Sequence, residues 1–354
     1  MRFKKTGMTV LLTLLTGMTG STVVAERSLA AVGDWTPPLS VLDRAESSGQ
    51  SLQSNAAELE RLMDEGIDAL NTEQYAEALD AFTQAIAIHS NHAPAHVGQG
   101  YALYRLEQYD KAIAAYGIAV ELDATHTYAW IWLGMALDDD GDPAAALDAY
   151  AKAIALDPDN NDVWYHQGLS LSRLERYQEA MTAYNRAVAL QPEFEPAWYN
   201  RGLVAQRLEQ FETMLASFTQ VVELNPNHGA AWFYRGVAAG RLQQYDVSLE
   251  SYNQSIARDP NHLNTWFNRG MMALIVEEYD TALESFDRVL ATHTEDGDAL
   301  YYRALSLMFL GQDREAIAAF ERALAVDPDN QQAQEYLAQL QQQQQAAQSR
   351  WSLK

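Results

Sequence analysis

The sequence predicts an all-α protein, a linear array of eight helix-turn-helix units closed by a C-terminal helix. Three observations predict it. A proline or its stand-in returns every 34 residues, at Ser90, Ala124, Pro158, Pro192, Pro226, Pro260, Thr294 and Pro328. A fixed period of this length marks an array of one supersecondary unit. Each period also carries two patterns with helical spacing. In the fourth, Trp164, Gly168 and Leu171 share one face of a first helix, and Ala180, Tyr184 and Ala187 share one face of a second. Capping residues agree: Pro94 and Pro196 stand at first helical positions, and Asp142-Pro143 is an N-cap followed by proline.

Residues 1–25 read as a secretory signal. Arg2, Lys4 and Lys5 precede an apolar run from Met8 to Met18, and small residues end in Val23-Val24-Ala25. The run is too short and threonine-rich for a spanning helix, and an uncleaved anchor is the alternative. Residues 26–58 hold Gly33, Pro37, Pro38 and a cluster from Ser47 to Ser51, the composition of a flexible linker. The repeats fill 59–330, beginning at Leu59, Ala93, Thr127, Asn161, Glu195, Gly229, Leu263 and Gly297. Residues 331–354 continue as a capping helix with Ala333, Tyr336, Leu337 and Leu340 on one face, then a glutamine-rich tail that frays.

Composition narrows the function. The chain is 48% hydrophobic and 20% charged, as a folded protein is, with a net charge of −24. Such acidity argues against non-specific binding to nucleic acid or to an anionic membrane. Removing residues 1–25, which hold three cations and no acid, takes the charge from −24 to −27. Without cysteine there is no thiol catalysis, zinc ribbon or disulfide.

Numbered from each repeat start, the fourth residue is Trp130, Trp164, Trp198, Trp232 or Trp266. The eighth is glycine from Gly66 to Gly270 and Ala304 in the last repeat. The twentieth is Ala78, Ala112, Ala146, Ala180, Ala282 or Ala316, and the twenty-fourth is always Phe or Tyr. On these residues the chain resembles the tetratricopeptide repeat family, in its exported bacterial form, over 59–330. The resemblance implies a right-handed superhelical solenoid whose concave wall is made by the first helices. Met214, Val221, Ser248, Ser255 and Val289 depart from the usual alanine, so looser packing is expected in repeats five to seven.

Helix geometry puts positions 4, 7, 8 and 11 on one side and 2, 5, 6, 9, 12 and 13 on the other. Position five is Tyr165, Tyr199, Phe233, Phe267 and Tyr301, and position thirteen is Arg105, Arg173, Arg207 and Arg241. An outward aromatic and cationic groove is therefore expected, made of residue types that dominate binding hot spots. Repeats seven and eight turn apolar at Met271, Leu274, Ile275, Leu305, Met308 and Phe309, expected as a second, hydrophobic patch or a self-association face. Arg201, Arg235, Arg269 and Arg303 at position seven are expected to bond Asn185, Thr219, Asn253 and Asp287, sixteen residues upstream, because a buried guanidinium needs partners.

Other signals carry no chemistry. His92, His126, His228 and His262 inherit their spacing from the repeat, which holds them too far apart to converge on one metal. The run Asp138 to Asp142 lacks the spacing of a calcium loop. No nucleophile motif, phosphate loop or cofactor site is present. Position nine is apolar throughout, from Ile67 to Leu305, where the chaperone-binding subgroup of the family has a clamp asparagine. The expectation is a non-enzymatic, exported (periplasmic or secreted) scaffold. Its groove would take a protein or peptide, an extended segment with carboxylates and apolar side chains. The alternatives are a homo-oligomer built through the apolar C-terminal repeats or an accessory subunit of an enzyme complex.

Overall fold

The computed structural model describes residues 50–352, with side chains from 55 to 346 and at 348. The signal segment 1–25 lies outside the described residues. The expected linker differs from 50 onward, where the chain is already helical. Seventeen helices and no strand are found among the described residues. The first helices are α1 (Gln50–Asn71), α3 (Ala93–Arg105), α5 (Thr127–Asp139), α7 (Asn161–Arg173), α9 (Glu195–Arg207), α11 (Gly229–Arg241), α13 (Leu263–Ile275) and α15 (Gly297–Phe309). The second helices are α2 (Tyr75–Ile88), α4 (Tyr109–Leu122), α6 (Pro143–Leu156), α8 (Tyr177–Leu190), α10 (Phe211–Leu224), α12 (Tyr245–Arg258), α14 (Tyr279–Leu290) and α16 (Asp313–Val326). The capping helix α17 (Gln331–Ser352) stays helical through the glutamine run. The molecule is an all-α helical-repeat solenoid, divided after Glu209 into two compact units.

Each turn between paired helices is set by position fifteen, which takes the left-handed conformation. It is glycine only at Gly141 and Gly311; Glu73, Glu107, Glu175, Glu209, Gln243 and Glu277 adopt φ of 55–64°. The left-handed residue lets the next amide reach back across the helix end, as in Gln108 N–H to Leu103 O at 2.9 Å. The turn leaving each second helix is an Asx turn where position thirty-one allows: the carboxylates of Asp123 and Asp259 accept from the N–H of Thr125 and Asn261 at 2.9 and 3.0 Å.

The helices of a pair lie close because glycine at position eight faces the aromatic ring at position twenty-four. A β-carbon at Gly134 would sit 2.4 Å from the Tyr150 ring, and one at Gly168 would sit 2.6 Å from Tyr184. Those rings are fully buried, as are Tyr116, Tyr252, Phe286 and Phe320. The looser packing expected in repeats five to seven is not found. Met214, Val221 and Ser248 are fully buried, and Ser255 and Val289 nearly so. The serine hydroxyls bond neighbouring backbone instead: Ser248 Oγ donates to Gly236 O at 2.8 Å and Ser255 Oγ to Gly229 O at 3.0 Å. A methyl group is thus replaced by a satisfied hydroxyl, which keeps the burial without an orphan polar atom.

Candidate functional site

The tryptophans at position four hold the period together. Each indole N–H donates to the carbonyl six residues back: Trp130 to Ala124, Trp164 to Pro158, Trp198 to Pro192, Trp232 to Pro226 and Trp266 to Pro260, at 2.8–3.0 Å. Proline cannot continue the preceding helix, so its carbonyl needs a partner from elsewhere. His96 Nε2 does the same for Ser90 at 2.8 Å and Gln334 Nε2 for Pro328 at 2.7 Å.

Arginine at position seven lies over these rings. Arg201, Arg235 and Arg269 sit 5.2–5.4 Å from the Trp198, Trp232 and Trp266 rings. Three of the four upstream bonds form. Arg201 Nε donates to Asn185 at 2.6 Å, Arg235 Nε to Thr219 at 3.3 Å and Arg303 Nε to Asp287 at 2.5 Å. Arg269 is the exception. It turns downstream to Glu284 and Ser285 at 2.9 and 3.1 Å, where a carboxylate outcompetes the neutral Asn253 amide.

The expected aromatic groove is corrected by burial. Tyr165, Tyr199, Phe233 and Phe267 are only 3–8% exposed, so they do not face outward. They fill the seams between consecutive repeats. Tyr165 meets Phe194 edge-on at 4.9 Å and accepts from Asn200 Nδ2 at 3.3 Å. Phe233 meets His262 at 5.0 Å, and Phe267 meets Tyr302 at 5.8 Å. The apolar patch is corrected for the same reason: Met271, Leu274, Ile275, Leu305 and Met308 are buried core residues. Phe309 is half-buried, stacked on Tyr279 at 5.0 Å.

Position thirteen is the row that does reach the surface. Two of its arginines pack on the aromatic residue thirty positions earlier, at the start of the preceding second helix. Arg105 lies 4.5 Å from the Tyr75 ring and Arg241 5.2 Å from Phe211. That aromatic is missing where Pro143 stands, and Arg173 turns instead to Asp138 at 2.9 Å and Asp139 at 3.6 Å. Asp138 also accepts from Ser170 Oγ at 2.6 Å, and Asp139 from the Tyr104 hydroxyl at 2.5 Å. Burial pushes the Asp138 carboxyl up, against the pull of Ser170 and Arg173. Arg207 is exposed and forms no ion pair among the described residues. The position-seventeen aromatics Tyr75, Tyr109, Tyr177, Phe211, Tyr245 and Tyr279 were legible as a 34-residue recurrence but carry no sign in the sequence of what packs on them.

The histidines of position thirty-four are helix N-caps: His92, His126 and His228 accept from the N–H of Ala95, Ala129 and Ala231 at 3.1–3.2 Å. Asp142 caps α6 through Ala145 N–H at 3.0 Å. Among the described residues no cluster of three or more histidine or carboxylate side chains could hold a metal ion, and no helix is long and apolar enough to cross a membrane.

No curated protein matches the chain. Among solved structures it is similar to YrrB, described as a TPR protein with an unusual peptide-binding site, at 26% identity over 53% of this chain and 97% of that one, with a TM-score of 0.49. It is also similar to MamA from Desulfovibrio magneticus RS-1, at 22% identity over 48% and 96% of the two chains and a TM-score of 0.44. A tetratricopeptide repeat protein from Parabacteroides merdae matches at 17% identity over 70% and 98%, with a TM-score of 0.46. Models of the tetratricopeptide repeat match residues 63–127, 131–193, 199–262, 238–293 and 297–330, following the helix pairs along most of the array. This chain therefore belongs to the tetratricopeptide repeat family.

Proposed function

We propose that the chain is a non-enzymatic scaffold that holds an extended protein or peptide segment along the exposed ends of its first helices. Family membership supports the coarser statement, a protein–protein interaction scaffold. The observation that carries the finer one is the row at position thirteen. In the first unit it presents Arg105, packed on Tyr75, and the exposed Arg173 and Arg207, cations on a protein with twice as many acids as bases. Carboxylates of a partner segment would meet the arginines, while the acidic exterior repels them elsewhere. Arg207 is the anchor of this reading because no carboxylate of the described residues neutralises it. Tyr165 and Tyr199 serve as a floor that fixes the spacing of the row, and Arg241 with Phe211 repeats the arrangement in the second unit. No exposed apolar end supports assembly through Met271 and Met308.

Export is part of the same proposal, on the basic start and apolar run of residues 1–25. Intact mass of the exported protein tests it, with cleavage after Ala25 expected and retention of Met1 overturning it. For binding, an array of peptides pairing Asp or Glu with apolar residues is probed with the wild type and with Arg207→Glu. Loss of the acidic peptides by the variant supports the reading. Unchanged binding at unchanged helicity rejects it.

A further inference from the structure

Three first helices of the array begin on a histidine whose Nδ1 must be bare. His92, His126 and His228 each accept a backbone N–H at Nδ1, the role played at the same repeat position by Asn330 Oδ1 for Ala333 N–H at 3.0 Å and by Asp296 Oδ1 for Ala299 N–H at 2.9 Å. An asparagine keeps that acceptor at every pH, whereas imidazolium has none and adds a positive charge at the positive end of a helix. His262 differs. Its Nδ1 lies 2.6 Å from the Thr265 hydroxyl, which can donate or accept, so a proton there costs no bond.

We propose that His92, His126 and His228 form an acid-sensitive set of helix caps, which release the first turns of α3, α5 and α11 when the imidazoles take up a proton. Charged and titratable groups stand beside each cap. His92 faces two further imidazoles, His89 at 5.9 Å between ring centroids and His96 one turn on, and burial followed by these neighbours holds its proton affinity down. His126 faces Asp123 in its own turn. Over the His228 turn lies Arg258 of α12, whose Nε donates to Pro226 O at 2.5 Å. Because the first helices carry the position-thirteen row, the device would link the strength of that surface to proton concentration. Release of the caps in acid does not depend on what the surface binds.

The test is urea denaturation of the full chain, followed by circular dichroism, from about pH 7.5 to about pH 5, for the wild type and for the triple variant His92→Asn, His126→Asn, His228→Asn. The wild-type midpoint is expected to fall by roughly 1 M more than that of the variant, which keeps its caps in acid. Equal falls in the two proteins would overturn the proposal. An independent readout is the imidazole nitrogen spectrum of the wild type at neutral pH. Unprotonated Nδ1 at the three caps is expected, and protonated Nδ1 at them would overturn the proposal even if the triple variant failed to fold.

Discussion

Arg322 Nη2 donates to the carbonyl of Thr294 at 2.7 Å, from the second helix of repeat eight back to the turn that opens the repeat. This is the bond that a position-four indole makes elsewhere. Position four of repeat eight is Leu300, which has no donor and is almost fully buried. The carbonyl at the period residue thus keeps a side-chain N–H where the tryptophan is lost, here supplied across the pair by a long, exposed arginine. Replacing Arg322 with alanine is expected to cost about 0.5–1 kcal/mol, read by urea denaturation, because an exposed carbonyl regains water. Trp164→Phe, which removes the donor to Pro158, should cost about 1 kcal/mol. A Trp164→Phe protein as stable as wild type would show the indole bond to be incidental.

Glycine has opposite roles at two helical positions of neighbouring repeats. At Gly134 a β-carbon would meet the Tyr150 ring at 2.4 Å, and at Gly117 it would meet nothing within 4 Å. Gly134→Ala should destabilise by about 1–3 kcal/mol through forced repacking. Gly117→Ala should stabilise by up to about 1 kcal/mol, through lower backbone entropy in the unfolded chain. Thermal or urea unfolding of the two single variants decides both signs.

Arg173 and Arg207 occupy the same repeat position with different consequences. Removing Arg173 leaves the carboxylate of Asp138, whose side chain is only 6% exposed, without its ion pair. A loss of about 1–2 kcal/mol is expected for Arg173→Ala, below the figure for a fully buried pair because the guanidinium itself is partly in water. Arg207→Ala should change stability by less than about 0.5 kcal/mol, as surface substitutions do. Similar losses in both variants would mean that the Asp138 pair contributes nothing.

His166 is buried against Tyr150, with ring centroids 6.3 Å apart, and burial, with a smaller push from Arg173, lowers its pKa to about 4 from 6.5. Between these values the unfolded chain binds the proton and the folded chain resists it. Stability is therefore lost as pH falls through the unfolded value, and the loss is complete near the folded one. The maximum effect is about 3 kcal/mol. Asp138, whose carboxyl burial pushes up, works in the opposite direction. His166→Asn, the residue found at this repeat position in Asn200 and Asn268, should flatten the acid limb of the stability profile. An unchanged profile would mean that His166 takes up its proton in place.

The 34-residue recurrence by itself determined the helix pairs and the upstream partners of Arg201, Arg235 and Arg303. Those features depend on spacing within a repeat or between adjacent repeats, and spacing is what a sequence records. The tertiary structure alone decided which outward positions stay outward. Helical geometry places Tyr165 and Phe267 on the side of a first helix away from its own partner, but the next repeat covers that side. Met271 and Met308 are also buried, so apolar character there signals core and not a docking face. Arg269 bonds Glu284 and Ser285 and not Asn253, a pairing that spacing alone did not give, because a charged acceptor on the following helix is met only once the helices are packed.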